Sequence, residues 1–250
     1  MADPADALDP DLSGQVVSMT FFRFSRWRDR FWAFAQMGLA RAPLQRIPEL
    51  QFFKLMGAGT GEGFTPVPDT GAVAILAVWP DLRTARHRIA EAAVYRAYRT
   101  RASEVWTVFL TPRTAWGAWG GQMPFQPRGR GYGGAVVALT RATLKPPVLF
   151  RFWRRVPSIS RAIGADPNVI FKLGVGELPW LHQMTFSIWP DTGAMAAFAR
   201  ADGPHARAIR AVRDGDWFAE ELYARFALIG AEGRWGGRDP LAGLAVPIPA

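Results

Sequence analysis

The chain offers few side chains capable of polar chemistry: no cysteine and three histidines in 250 residues. Without thiols there are no disulfides, thiolate-ligated haem, iron–sulfur clusters, Cys-based zinc sites or Cys nucleophiles. No G-x-S-x-G elbow or H-E-x-x-H helix occurs. The residues two places after the histidines are Ile89, Met184 and Arg207, so the common H-x-D/E start of a 2-His-1-carboxylate iron site is missing. The glycines at 57, 59, 61 and 63 lack the third glycine of G-x-G-x-x-G, and Pro66 and Pro68 follow where a helix would have to begin. They read as a turn or a substrate-lining loop, not as a nucleotide site, and there is no Walker A sequence.

The histidines differ in setting. His87 lies between Arg86 and Arg88, on what reads as a solvated helix face. His205 follows Gly203-Pro204, a helix start, and shares a stripe with Ile209 and Val212 at i+4 and i+7. The positive end of the helix dipole there favours neutral imidazole, the form a metal requires. His182 alternates with Met184 and Phe186 on one apolar strand face. Either His205 or His182 can ligate a metal, leaving the other as a distal group. The cofactor that survives elimination is haem, which needs one axial imidazole and an apolar slot. That slot is expected between sheet and helix in the second half, lined by Met184, Phe186 and Ile209.

The elements that must position these residues occur twice. Phe53-Lys54-Leu55 recurs as Phe171-Lys172-Leu173, Trp79-Pro80-Asp81 as Trp189-Pro190-Asp191, Trp119-Gly120-Gly121 as Trp235-Gly236-Gly237, and Arg30-Phe31-Trp32 as Arg151-Phe152-Trp153. Four matches in one order, at offsets between 110 and 121, mark a tandem duplication. Each half opens with a strand (Gln15–Phe24; Ala135–Thr143) and an Arg/aromatic helix (Trp27–Arg41; Val148–Ile163). Two strands follow, the second being Ala72–Trp79 or His182–Trp189. Asp81 and Asp191 are placed to start a second helix, expected over Thr84–Arg101 in the first half and beginning again at Pro204 in the second, and short strands Val105–Leu110 and Leu222–Ile229 close the halves.

The order β-α-β-β-α-β predicts an α+β fold of two ferredoxin-like units forming a dimeric-α/β-barrel in one chain. The units span 15–130 and 131–240, the second holding the haem site, with tails at 1–14 and 241–250. Aligning Pro204–Arg210 with Ala93–Arg99 sets His205 over Val94, so an imidazole stands in one copy only.

The longest apolar runs, such as Gly71–Trp79, fall short of a membrane span, and the acidic N-terminus does not read as a signal peptide. The net charge of +9 comes from arginine almost alone. It reflects compositional bias or an acidic partner: an electron carrier, an anionic membrane or nucleic acid. The arginines are spread over several helices without an RNP-like motif, which argues against nucleic acid.

Phe22-Arg23-Phe24, Phe53–Pro68 (FKLMGAGTGEGFTPVP), Leu139–Thr143 (LTRAT), Phe171–Pro179 (FKLGVGELP), Thr185–Asp191 (TFSIWPD), Gly203–Arg213 (GPHARAIRAVR) and Trp217–Phe226 (WFAEELYARF) resemble the spheroidene monooxygenases. These are the acyclic carotenoid 2-ketolases of purple photosynthetic bacteria. The resemblance runs in order from about Val16 to Pro240. It implies a haem-dependent enzyme that introduces a C-2 keto group into spheroidene-type carotenoids, using O2 and reduced ferredoxin. C-2 would be hydroxylated twice, and the gem-diol would lose water to give the ketone. The family is similar in architecture to chlorite dismutases and dye-decolourising peroxidases, whose axial histidine lies on a helix of the second unit. That placement carries the ligand role to His205, with His182 as runner-up.

A +9 surface suits an acidic ferredoxin. The segments RFSRWRDRFW and RFWRRVPSISR suit a lipid interface, or equally a sheet with their arginines solvated. A cytoplasmic protein, peripheral at the inner membrane, is the expected setting. The rival functions are a non-catalytic haem or carotenoid carrier and a cofactor-free barrel monooxygenase.

Overall fold

In the computed structural model, residues 14–61, 65, 67–129, 133–154, 166–200 and 215–244 are described. Eight strands close into one antiparallel barrel: β1 (Val16–Arg23), β2 (Phe52–Gly59), β3 (Pro68–Trp79), β4 (Glu104–Gly117), β5 (Val136–Leu144), β6 (Phe171–Gly176), β7 (His182–Trp189) and β8 (Phe218–Gly233). The order around the barrel is β1-β3-β2-β6-β7-β5-β8-β4, so each half contributes four adjacent strands in the same internal order. The first half carries helices α1 (Trp27–Leu39), α2 (Arg41–Gln45), α3 (Leu82–Glu91) and α4 (Ala93–Arg101). The second carries helical residues at 149–154 and α5 (Thr192–Arg200).

Pairing across the two seams is unequal. β4 and β8 run together from Trp106↔Gly233 to Gly117↔Leu222. β2 and β6 meet only at Gly57↔Gly176 and Ala58↔Val175. The closing strands are therefore far longer than the short segments expected, because each continues past its own half to pair with the other. Gly117 and Gly233 end these strands at φ +96 and +93, where an added Cβ would lie 2.1 Å from the carbonyl oxygens of Glu221 and Val105. Only glycine permits that approach.

Inside, the barrel is solid. Phe21 packs against Trp106, Phe171, Phe186 and Trp235, and Phe125 meets Phe226 edge-on. Strand period sends alternate residues inward, so the barrel holds a core and not a channel. The recurring Trp-Gly-Gly words plug its ends. Gly120, Gly121, Gly236 and Gly237 all have positive φ, as tight hairpin turns demand, and Trp119 and Trp235 are buried beneath them.

Asp81 accepts the Thr84 N–H at 2.7 Å and Asp191 the Ala194 N–H at 2.8 Å, so both acids cap helices as expected. The first of these helices breaks at Ala92, whose backbone is extended, so one expected helix is two. The helix after Asp191 starts at Thr192, and the segment expected to begin again at Pro204 lies outside the described residues. Leu241, where a tail was expected, is buried in the barrel core.

The Phe-Lys-Leu match is corrected by one residue. Phe52↔Val78 in the first half corresponds to Phe171↔Ile188 in the second, so Phe171 is the counterpart of Phe52, not Phe53. A one-residue slip turns every side chain to the other face. Phe171 accordingly packs on the barrel interior, whereas Phe53 packs under the helices outside.

Candidate active site

Each half buries one sheet face inside the barrel and presents the other outward, and the outer faces differ. Corresponding cross-strand pairs show how. In the first half Phe22 pairs with Val73, and Thr20 with Ile75, which in turn pairs with Leu55. In the second half the same places hold Ala142 with Gln183, and Thr140 with Thr185, which pairs with Gly174. Phe22, Leu55, Val73 and Ile75 are buried under α1–α4 in a layer of twenty-one buried side chains. The outer layer of the second half has three, Val136, Trp189 and Met195, among the described residues, all at the Trp189 end. Toward Ala142 the face is lined by small and polar groups, and Thr140 is exposed.

This face borders a cavity of about 300 Å³ at the short β2–β6 seam. Its walls include Phe34 and Met37 of α1, Gly57–Gly59, Trp153, Leu178 and Trp180, with Gly176 and Gln183 from the outer face. Trp153 Nε1 donates to the Trp180 carbonyl at 3.3 Å, tying the 149–154 helix to the loop after β6. The volume lies at the small end of ligand sites. It accommodates the end of a long apolar molecule rather than its whole length.

Glu177 lines the cavity and also forms the hub of a charged cluster at one end of the barrel. Lys54 Nζ lies 2.9 Å from its Oε1, Trp119 Nε1 donates to Oε2 at 3.0 Å, and Arg141 Nη2 is 3.9 Å away. Arg141, nearly fully buried, pairs through Nη1 with Glu220 at 2.8 Å and lies 5.7 Å from the centre of the Trp119 ring. Glu220 also accepts the N–H groups of Gly120 and Gly121, both at 3.0 Å.

Burial pushes both carboxyls up, but it is outweighed. Lys54, Trp119 and the neighbouring positive charge hold Glu177 below the ordinary carboxylate value; the two glycine N–H groups and Arg141 do the same for Glu220. Burial pushes His182 down; Glu177 opposes this, while Arg141 and Lys54 reinforce it. Its Nδ1 is 3.4 Å from Glu177 Oε2, without a well-aligned hydrogen bond. These influences favour the neutral imidazole beside the Glu177 carboxylate.

The sequence-derived site is only partly assembled. His205 and Ile209 lie outside the described residues. Met184 and Phe186 do share a strand face, but it is the inner one: both are buried in the barrel core, across the sheet from any slot beneath a helix. The side chains of β7 that face outward are Gln183, Thr185 and Ser187. His182 joins the Glu177 cluster, and His87 is exposed on α3. No group of three or more His, Asp or Glu side chains able to hold a metal ion occurs among the described residues. No helix there is long and apolar enough to cross a membrane.

The sequence reading missed Glu177, Arg141 and Glu220. One signal was available: Glu104 and Glu220 stand at the same spacing as Trp119 and Trp235, and Glu104 accepts from Gly236 and Gly237 as Glu220 does from Gly120 and Gly121.

Comparison with known proteins agrees with this architecture. No family model matches the chain. An aldoxime dehydratase superposes with a TM-score of 0.60 at 11% identity, over 88% of this chain and 83% of that one, which shows a shared fold. Sequence relatives are much nearer. The spheroidene monooxygenase of Rhodobacter capsulatus is 49% identical over 230 residues, 91% of this chain and 95% of that protein. The one from Cereibacter sphaeroides is 47% identical over 229 residues, 91% of this chain and 71% of that protein. With identity of this order across nearly the whole barrel, the chain belongs to the spheroidene monooxygenase family, a family of carotenoid monooxygenases.

Proposed function

We propose that this enzyme converts C-2 of a spheroidene-type acyclic carotenoid into a ketone, using O2, reduced ferredoxin and haem. The observation that carries the reading is the run of small and polar residues on the outer sheet face of the second half, bordered by an apolar cavity. The chain reads as two ferredoxin-like units, of which the first carries large apolar residues on its outer sheet face and the second small and polar ones. Ala142, Gly174, Thr185 and Gln183, in place of Phe22, Leu55, Ile75 and Val73, fit a flat macrocycle laid on the sheet beside Thr140. His205 would hold the iron. Haem bound there supplies the means to activate O2 with ferredoxin electrons.

The chain's own contribution is positioning. The cavity walls, largely aromatic and aliphatic, hold the end of the polyene by burial and keep water from it. Gln183 provides a polar group at the edge of that space. Two hydroxylations at one carbon give a gem-diol, which loses water to the ketone. The net charge of +9 favours encounter with an acidic ferredoxin.

The test is an absorption spectrum of protein purified with haem supplied, then turnover of spheroidene with reduced ferredoxin. A Soret band that disappears in His205→Ala and persists in His182→Ala is expected, together with a ketone product. Normal haem binding by His205→Ala removes that ligand assignment. Turnover by colourless protein favours cofactor-free catalysis, and haem binding without turnover favours a carrier.

A further inference from the structure

The rim of the seam cavity is apolar and uncovered. Trp27, Phe31 and Phe34 on α1 are 73%, 71% and 68% exposed. Spaced four and three residues apart, they form one stripe along the helix. Phe34 lines the cavity mouth opposite Trp153, and Phe150, one turn before Trp153, is 74% exposed. Leu178 and Trp180 complete the rim from the β6–β7 loop. A contiguous aromatic patch of this kind marks an interaction surface.

Its charge is one-sided. Arg26, Arg28 and Arg30 surround the Trp27–Phe31 turn, where Asp29 is the single acid, and Arg151 and Arg154 flank the second helical segment. The guanidinium groups of Arg28 and Arg154 lie 5.4 and 5.6 Å from the ring centres of Trp27 and Phe150. Interfacial helices combine aromatics that enter the headgroup layer with arginines that meet anionic lipid.

We propose that this rim docks on an anionic bilayer surface, with α1 lying in the headgroup layer and the cavity mouth turned to the acyl chains. Charge complementarity selects the bilayer over a second copy of the chain, because two such rims would bring like-charged arginines together. The inference rests on reading the cavity as the seat of a hydrocarbon substrate, which would then enter from the membrane without crossing water.

The test is co-sedimentation of the full chain with vesicles of phosphatidylcholine alone or mixed with phosphatidylglycerol. Binding is expected to be roughly tenfold stronger to the anionic vesicles and to weaken with salt. Trp27→Ser with Phe31→Ser should reduce it roughly tenfold or more, and Arg28→Glu with Arg154→Glu should abolish the anionic preference. All four positions lie outside the cavity wall and are exposed, so the variants should fold. They should also turn over detergent-dispersed carotenoid as the parent does, but lose turnover of vesicle-embedded carotenoid.

Absence of vesicle binding, or unchanged binding by the serine variant, overturns the proposal. So does gel filtration showing a dimer that the serine variant dissolves, which assigns the patch to a second copy. Vesicle binding without turnover of either carotenoid preparation leaves docking in place and removes the substrate reading.

Discussion

The two halves of the barrel agree inside and differ outside. Facing inward, both supply alternating apolar residues to one core, both plug an end with Trp-Gly-Gly, and each plug is tied to a glutamate at the start of the other half's last strand. Facing outward, the sheet positions that carry Phe22, Leu55, Val73 and Ile75 in the first half carry Ala142, Gly174, Gln183 and Thr185 in the second. The difference is a division of labour. The first half gains stability from large apolar side chains buried at those positions, whereas the second carries less apolar volume there.

The largest expected effect follows directly. Phe22→Ala removes a fully buried ring beneath α4 and should cost about 3–5 kcal/mol in urea denaturation. Thr140→Ala, at the exposed equivalent of Thr20, should stay within about 0.5 kcal/mol. Similar losses at both places would mean that the outer faces are equally packed. Next come positions where the halves should behave alike. Gly117→Ala and Gly233→Ala each force a Cβ against a carbonyl at positive φ, and each should cost on the order of 2–3 kcal/mol. A clearly unequal pair of melting temperatures would break the internal symmetry of the barrel.

A smaller change in stability carries more functional content. Writing first-half residues into the second, as Thr185→Ile with Ala142→Phe, should shift stability by no more than about 1–3 kcal/mol while filling that outer face. Haem uptake, read from the Soret band, should fall sharply although the protein remains folded. Unimpaired uptake would place the cofactor elsewhere.

Much of this symmetry was legible in the sequence. Trp79-Pro80-Asp81 and Trp189-Pro190-Asp191 marked strand ends and helix starts because Asp side chains cap locally, within three residues. What was illegible depended on pairing between distant strands. Alternation showed that Met184 and Phe186 share a face, but period two cannot say which face looks into the barrel. Identical Phe-Lys-Leu words sit in registers one residue apart, so the best-looking match was structurally offset. The Glu177 cluster gathers Lys54 from β2, Trp119 from the turn after β4, Arg141 from β5 and His182 from β7, which only barrel closure brings together.

That cluster marks a further difference between the two halves. Arg141 occupies the place that Phe21 holds in the first half, so one end of the barrel is aromatic where the other is charged. His182, Glu177 and Glu220 are all held below their ordinary values in the folded chain. In each case the unfolded chain binds the proton more tightly, so folding stability is greatest above the unfolded values and declines with acidification. The imidazole acts first: as pH falls through the ordinary histidine range near 6.5, the unfolded state gains a proton that the buried ring resists. The carboxylates follow below the ordinary glutamate value, where protonation also releases Lys54 and Arg141 from their partners. The melting temperature should therefore fall modestly between pH 7 and 5.5 and more steeply below 4.5. His182→Gln should flatten the upper part alone. A variant curve parallel to the parent throughout would detach the imidazole from the charged end of the barrel and leave the carboxylates as the source of acid sensitivity.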